Sequence, residues 1–214
     1  MSQADDSYHH GNLRSALIGA ALAALEHEGP SALSLRGLAR AVGVSATAVY
    51  RHFANKDDLV AAIATEGFEG LSHDMHARLA QEPKADPMRR LVILGEGYVA
   101  YAVAHPAHYR LMFGKRMVER AAYPALAQAA AHSYGILENA VADAIASGDL
   151  PAMPVKMLST LSWSLVHGLS TLSNDGLLTD NSLPASAVLG KTFTQLLADA
   201  LHRLAQPAEK QPCR

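Results

Sequence analysis

The chain has 214 residues, of which 50% are hydrophobic and only 6% aromatic, and its formal net charge is −2. This length can bury a sizeable core, and the composition is that expected of a soluble globular helical protein. The net charge argues for no particular partner, so any nucleic-acid site must come from local clustering of Lys and Arg. The single cysteine, Cys213, excludes an intrachain disulfide framework and a Cys-based zinc site within one chain, which fits the cytoplasm. The N-terminus lacks the order of a signal peptide, and the longest apolar run, residues 16–25, is too short to span a bilayer.

Apolar residues recur at helical spacing along nearly the whole chain. No stretch shows sustained alternation with β-branched enrichment, so we predict an all-α fold of about nine helices. Ser, Asn, Gly and Pro mark where these helices begin and end. In chain order we predict a first helix closed by Gly29-Pro30, a short helix capped by Ser34 and ended by Gly43, a short helix from Ser45 through Phe53, a long helix capped by Asn55, and further helices near 88–104, 106–114, 124–147, 154–173 and 186–204.

The stretch 34–56 contains the local signals of a helix-turn-helix. Two short helices are joined by a turn of three or four residues that contains glycine, and the second helix of such a motif is built to enter the major groove of DNA. Ala39 is small where the two helices must cross closely, and Gly43 lies where the turn requires a positive φ. Val49 is placed to lock the pair together. We therefore predict the motif at about residues 34–53.

The second helix of this motif is expected to have a buried and an exposed side. Val49 and Phe53 lie four residues apart on the predicted inner side. The residues left facing outward are Ala46, Thr47, Tyr50 and Arg51. The charged residues between Ser34 and Lys56 are all basic, namely Arg36, Arg40, Arg51 and Lys56. This local charge favours DNA as the partner, whereas the spacing alone leaves a purely structural helix pair open.

At these residues the chain resembles the TetR family of bacterial transcriptional regulators. The pattern is leucine-alanine, three residues, glycine-valine-serine, then tyrosine, any residue, histidine-phenylalanine, and a lysine followed by an acid and leucine. It is matched by Leu38-Ala39, Gly43-Val44-Ser45, Tyr50, His52-Phe53, Lys56, Asp57 or Asp58, and Leu59. The segment 8–14 also is similar to the start of the first helix in one branch of that family. The resemblance covers about residues 11–71 and is specific.

The resemblance implies a role for each matching position. The phosphate backbone would be held by Ser34, Ser45, Tyr50, His52 and Lys56. Lys56 opens the next helix, where the helix dipole and the ammonium both attract an anion. Base reading would fall to Ala46, Thr47, Tyr50 and Arg51. Apart from Arg51 these side chains make no bidentate contact with a base, so the identity of the operator stays open.

The motif Trp163-Ser164-Leu165-Val166-His167-Gly168 is similar to a tryptophan-histidine-glycine signature of one class of TetR-like C-terminal domains. Trp163 and His167 share one helix face, where a buried aromatic beside a hydrogen-bonded histidine is the alternative to direct ligand contact. Aromatic and thioether side chains nearby would favour an apolar or aromatic ligand, if they line a cavity and are not simply core. The predicted pocket residues are Tyr98, Tyr101, Tyr109, Met112, Phe113, Met117, Tyr134, Trp163 and His167.

Four histidines in the part of the chain after residue 71 do not indicate a metal site. None shows the i, i+4 pairing of a helical site and no cysteine accompanies them, so we expect no metal and no cofactor. These histidines are His105, His108, His132 and His167. The sequence also contains no nucleophile elbow, phosphate loop or dinucleotide fingerprint, so we expect no catalytic residues and no enzyme activity.

The last two helices carry wide apolar stripes. A stripe that wide on a terminal helix suggests burial on two sides, and the resemblance implies that these helices pair with their twins in a four-helix dimer interface. The residues predicted at this interface are Leu165, Leu169, Leu172, Phe193, Leu196, Leu197, Leu201 and Leu204.

The sequence therefore predicts a ligand-responsive DNA-binding regulator with two domains. Residues 11–71 would form the DNA-binding domain, 72–206 the ligand-sensing and dimerisation domain, and 207–214 a disordered tail. By resemblance it would be a homodimeric repressor that binds a palindromic operator and is released by a small apolar or aromatic effector. The alternatives are a transcriptional activator with the same DNA-binding domain and a helical module that binds protein.

Overall fold

The computed structural model describes residues 4–28, 33–114, 118–178 and 185–205, with side chains described from residue 13 onward except at position 187. Within these ranges the chain forms nine α-helices, a 3-10 turn at Arg120–Ala122, and no strand. The helices are α1 (Ala4–Glu28), α2 (Leu35–Val42), α3 (Ala46–Tyr50), α4 (Lys56–Gln81), α5 (Pro87–Ala104), α6 (Pro106–Phe113), α7 (Pro124–Ala146), α8 (Val155–Asn174) and α9 (Ser186–Ala205). The predicted all-α fold of about nine helices is confirmed.

Local side-chain chemistry sets several of the helix boundaries. The side-chain oxygens of Ser34, Ser45 and Asn55 each accept a hydrogen bond from the amide three residues further on, at 3.0, 3.2 and 2.9 Å. These bonds satisfy amides that the first turn of a helix leaves without a partner. Gly43 and Gly148 adopt φ of +76° and +80° after α2 and α7, where a left-handed residue ends the helix. The caps predicted from the sequence are therefore present.

The helix α3 is shorter than the sequence analysis predicts. The prediction runs through Phe53, whereas the helix ends at Tyr50. The amides of His52 and Phe53 both donate to the Val49 carbonyl, at 2.9 and 3.0 Å, so one acceptor serves two donors and the regular ladder stops there. The hydrophobic spacing of Val49 and Phe53 is kept, since both side chains are buried, and spacing alone could not reveal this early end.

The chain divides into two compact units, which are described separately. The first unit draws its residues from Met1–Phe68 and Pro106–Gln128, and the second from Glu69–His105 and Ala129–Arg214. α4 and α7 each contribute residues to both units. The first unit therefore contains α6 and the start of α7 in addition to α1, α2 and α3.

The core of the first unit is built on the inner stripe of α1. Leu17, Ala21 and Leu25 recur at intervals of four residues and are at most 1% exposed. α1 contacts α2 and α6, and α2 contacts α3. On α4 a Cβ placed at Gly67 would lie 2.6 Å from the Met112 sulfur of α6, so the absence of a side chain permits this close contact.

The second unit is organised around α5. This helix contacts both α8 and α9, and α8 contacts α9. Ten of its residues are buried, in accordance with packing on two sides. At the crossing with α9, a Cβ on Gly95 would lie 2.5 Å from Thr194 Cγ2, and a Cβ on Gly190 would lie 3.0 Å from Val99 Cβ. Small residues on both helices therefore set the distance between α5 and α9.

Some predictions concern positions that the described ranges do not include. The Gly29-Pro30 break, the pocket residue Met117 and the tail 207–214 lie outside the described residues. Among the helices that are described, none is both long and apolar enough to cross a membrane.

Candidate nucleic-acid interface

A glycine turn fixes α3 against α2. Gly43 has φ +76° and ψ 30°, its amide donates to the Arg40 carbonyl at 3.2 Å, and the next amide donates to the Ala39 carbonyl at 2.9 Å. Two such bonds satisfy carbonyls that the end of α2 leaves open. Ala39 is 3% exposed and Val49 is fully buried, so small and branched apolar side chains hold the two helices together. One side of α3 is thereby fixed in the core.

The opposite side of α3 faces solvent. Ala46, Thr47, Tyr50 and Arg51 are all exposed, and the large ring of Tyr50 is 48% exposed. An exposed tyrosine of this size on a short helix has its hydroxyl and ring edge available to a partner. The four outward residues of the sequence analysis thus form one accessible face.

The hydroxyls of Ser34 and Ser45 are used as helix caps. Each oxygen accepts a bond from an amide of its own helix, so the acceptor role is filled by the protein. A hydroxyl that accepts one bond still has its proton to donate, and a phosphate oxygen is an acceptor. Both exposed residues can therefore cap a helix and donate to a phosphate at the same time.

The first turn of α4 is held by two hydrogen bonds of Asp58. The Asp58 amide donates to Asn55 Oδ1 at 2.9 Å, and Asp58 Oδ2 accepts from the Ala54 amide at 3.0 Å. This arrangement resembles a capping box, except that the acid accepts from the amide of the residue before the cap, Ala54, and not from that of the cap residue Asn55. Lys56 is the first residue of α4 and is half-buried, as is His52 in the preceding turn. Lys56 is therefore a cationic residue in the first turn of a helix, whose N-terminus favours an anion.

Three contacts between residues distant in sequence support this region, and none of them was predicted from the sequence. The Arg14 guanidinium pairs with Glu66 Oε1 at 3.1 Å and lies 5.6 Å from the centre of the Phe53 ring. The Tyr123 hydroxyl donates to Asp58 Oδ1 at 3.2 Å. Helical periodicity carries no signal for such pairs, because the partners belong to different elements.

The charge of the face is uniformly positive. Arg36, Arg40 and Arg51 are exposed and form no ion pair with any side chain in the described ranges. Together with Lys56 they give four cations and no carboxylate between residues 34 and 56. A surface of this kind attracts a polyanion, and most strongly at low ionic strength.

Four of the predicted pocket residues form one cluster in the second unit. The Trp163 indole donates to the Tyr98 hydroxyl at 3.2 Å, and the Tyr98 oxygen lies 2.9 Å from His167 Nδ1. The Tyr134 ring packs edge-on against Trp163 at 6.0 Å between centres, and its hydroxyl lies 3.2 Å from that of Thr160. Burial lowers the pKa of His167, so the imidazole is neutral at pH 7.

Tyr101 also belongs to the second unit but stands apart from that cluster in its contacts. Its ring lies 4.5 Å from that of His105. Burial, assisted by the charge of Asp74, raises the pKa of Tyr101 to about 12.

Three more predicted pocket residues belong to the first unit. Tyr109, Met112 and Phe113 lie on α6, where Phe113 packs against Phe68 with ring centres 5.3 Å apart. Met112 is only 1% exposed. Their described contacts are therefore those of core side chains in the unit that carries α3.

Four of the eight predicted dimer residues line an apolar groove on α8 and α9. The groove has a volume of about 320 Å³. Leu165, Leu169, Leu172 and Phe193 are among its lining residues. Further along α9 the exposed fraction is 59% for Leu196 and 72% for Leu204, whereas Leu197 is half-buried and Leu201 is buried. Large apolar side chains thus remain uncovered on one side of these helices.

Two family profiles match the chain. Residues 17–63 match bacterial regulatory proteins of the tetR family. Residues 91–201 match the tetracyclin repressor-like C-terminal domain. The first match includes α2, α3 and the start of α4, and the second includes most of α5 and nearly all of α9.

Individual relatives agree with the profiles. Curated HTH-type transcriptional regulators from Mycobacterium tuberculosis and Mycobacterium bovis are 31% identical over 128 residues, which is 59% of this chain and 54% of each relative. The match thus spans only about half the length of these curated relatives. A solved protein of unknown function from a Rhodococcus species is 30% identical, with a TM-score of 0.77 over 93% of this chain and 98% of that one. A regulatory protein of the tetR family from Rhodococcus is 18% identical and shares the fold, with a TM-score of 0.71 over 88% of this chain and 96% of that one.

Proposed function

Because this chain belongs to the TetR family of bacterial regulatory proteins, we propose that it is a transcriptional repressor that binds a palindromic DNA operator as a homodimer. The observation that carries the proposal is the exposed outer side of α3, in a stretch from residue 34 to 56 that has four cations and no carboxylate. Such a face offers a helix to the major groove and cations to the phosphates on either side. Since the chromosome of a bacterium lies in the cytoplasm, the protein would act there.

The resemblance to the family assigns the roles of the residues, and the chemistry of each side chain suits its role. Ser34, Ser45, Tyr50, His52 and Lys56 would contact phosphates, by donating hydroxyl, ring or ammonium protons. Ala46, Thr47, Tyr50 and Arg51 would meet the base edges. Methyl groups on Ala46 and Thr47 suit thymine, whereas Arg51 suits guanine or a further phosphate. An operator with thymines opposite the N-terminal end of α3 is the expected result.

The apolar face of α8 and α9 supports pairing with a second copy of the chain. Exposed large side chains such as Leu196 and Leu204 would be covered by their own counterparts around a two-fold axis. Four helices packed in this way form a bundle, the usual solution for two helices with uncovered apolar stripes. A two-fold dimer carries two reading helices, so the half-sites of the operator would lie about one helical turn, ~35 Å, or slightly more apart.

The effector is proposed to be a small apolar or aromatic molecule. In this proposal residues 11–71 form the DNA-binding domain and 72–206 the ligand-sensing and dimerisation domain. The cluster of Tyr98, Tyr134, Trp163 and the neutral His167 supports an apolar or aromatic ligand, because its side chains are aromatic and uncharged. An effector releases the operator only if it binds the low-affinity conformation more tightly, and typical coupling is about 1–3 kcal/mol.

The test measures DNA binding directly. Fluorescence anisotropy would follow the purified protein with a labelled duplex of the intergenic DNA beside its own gene, at several salt concentrations. Tight binding that unrelated DNA does not compete away is expected, with a steep fall on a log–log plot against salt. Tyr50→Ala and Lys56→Ala should each weaken it by about tenfold or more, as lost contacts of about 1–3 kcal/mol would do.

Lys84→Ala is the matched control, because this exposed lysine lies in the loop between α4 and α5. Wild-type affinity in the Tyr50 and Lys56 variants would refute the assigned interface. Absence of binding at low salt from a folded protein would refute the DNA-binding function and favour a protein partner for the same face.

A further inference from the structure

Tyr123 connects the segment before α7 to the first turn of α4. It directly follows the 3-10 turn Arg120–Ala122, and its hydroxyl donates to Asp58 Oδ1 at 3.2 Å. The other oxygen of the same carboxylate accepts the Ala54 amide at 3.0 Å. Both oxygens of Asp58 are therefore held, one by the Ala54 amide between α3 and α4 and the other by the hydroxyl of Tyr123, 65 positions later.

The bonded carboxylate is next to the proposed phosphate contact. Asp58 and Lys56 lie in the same helical turn, and Asp58 is half-buried. A carboxylate that receives two hydrogen bonds from the protein stays in one orientation, whereas one that loses a donor can turn toward a neighbouring ammonium and compete with a phosphate for it. The orientation of the carboxylate at the start of α4 thus depends on the Tyr123 hydroxyl.

The segment that carries Tyr123 is itself anchored within the first unit. The Arg120 guanidinium donates to the Met112 carbonyl at 3.0 Å and lies 5.1 Å from the centre of the Phe68 ring. The segment therefore contacts α6 through Arg120 and contacts α4 twice, at Phe68 through Arg120 and at Asp58 through Tyr123. A residue anchored in this way can hold Asp58 firmly.

We propose that Tyr123 is a positioning residue for operator binding: its hydroxyl fixes Asp58 and the first turn of α4, so that Lys56 meets a DNA phosphate. The inference rests on the proposed function, since it concerns the same DNA interface. It adds a residue that lies outside the helix-turn-helix and touches no DNA itself.

The test is Tyr123→Phe, which removes only the hydroxyl. With the same duplex and assay, operator affinity should fall about tenfold, the equivalent of about 1.4 kcal/mol. The slope of log affinity against log salt should decrease in magnitude by about 0.9, the share of one phosphate contact. A residue that only stabilised the fold would leave the slope unchanged.

A double variant separates positioning from general stability. In the Lys56→Ala background, Tyr123→Phe should cause almost no further loss, because the contact it positions is already gone. Thr65→Val is the control: it also removes a hydroxyl bonded within the protein, to the Ala61 carbonyl on α4, and should bind DNA as wild type does. An unchanged affinity and slope in Tyr123→Phe, or a loss that adds fully to that of Lys56→Ala, would overturn the proposal.

Amide hydrogen exchange measures the contact without DNA. The Ala54 amide should exchange several-fold faster in Tyr123→Phe than in wild type, because its acceptor Asp58 has lost its other hydrogen-bond donor. Unchanged exchange would overturn the positioning of Asp58 even if DNA binding fell. If the wild-type protein bound no DNA, the proposed function would fail, and faster exchange would still show that Tyr123 holds this turn.

Discussion

Replacing Gly43 by alanine tests the turn that fixes α3 against α2. Gly43 has φ +76° and ψ 30°, and a Cβ built there meets no atom within 4 Å. The cost is therefore one of backbone conformation and not of a clash. A left-handed residue other than glycine costs about 1–2 kcal/mol, while alanine recovers about 0.4–1 kcal/mol by restricting the unfolded chain. The expected net loss of stability is about 1 kcal/mol.

Native-state hydrogen exchange is the suitable assay, because the Val44 amide bonds across this turn to the Ala39 carbonyl at 2.9 Å. A loss of about 1 kcal/mol should speed its exchange about fivefold. Gly43→Asn should lose less, since asparagine tolerates the left-handed region. Gly19→Ala in α1, also with open space around the Cβ but in a helical conformation, should instead stabilise by about 0.5–1 kcal/mol. If alanine at position 43 proved as stable as glycine, or asparagine proved worse than alanine, the reasoning would be refuted.

Two further predictions concern the second unit. Gly95→Ala would bring a Cβ to 2.5 Å from Thr194 Cγ2 in a buried contact, so it should destabilise the protein by about 1–3 kcal/mol in urea denaturation, and Thr194→Ala in the same chain should restore much of this loss. Burial lowers the pKa of His167 below its usual 6.5, so below that pH the unfolded chain binds more protons and stability falls as the pH drops. His167→Gln should flatten the decline of the melting temperature between about pH 7 and pH 5, and an equally steep decline would contradict the assignment.

Helix boundaries could be predicted because their causes are local. Ser34, Ser45 and Asn55 cap helices by accepting hydrogen bonds from amides three residues away. Gly43 adopts the left-handed backbone conformation that ends α2, which glycine tolerates better than alanine. These signals lie within a few residues of the boundary they set. The end of α3 at Tyr50 escaped prediction because two amides share one carbonyl there, which the hydrophobic spacing does not record.

The supporting contacts of the interface could not be predicted, because they join elements far apart in the chain. Tyr123 and Asp58 are 65 positions apart, and Arg14 and Glu66 are 52 apart. A single sequence holds no periodic pattern for such pairs. The same limit applies to the proposed pocket, whose aromatic residues were grouped by their type and their position in the middle of the chain and are found in two different units.

Tyr123 lies directly before a helix that belongs to both units. Tyr123 belongs to the first unit, while the helix that begins one residue later, α7, continues into the second unit beyond Gln128. In the proposed function, an effector that displaces α7 would move its first residues and with them the Tyr123 hydroxyl, because a helix is a stiff element. Loss of the bond to Asp58 would then lower operator affinity, as the Tyr123→Phe substitution is expected to do. The operator affinity of Tyr123→Phe should accordingly respond less to effector than that of wild type, and an equal response would contradict this coupling.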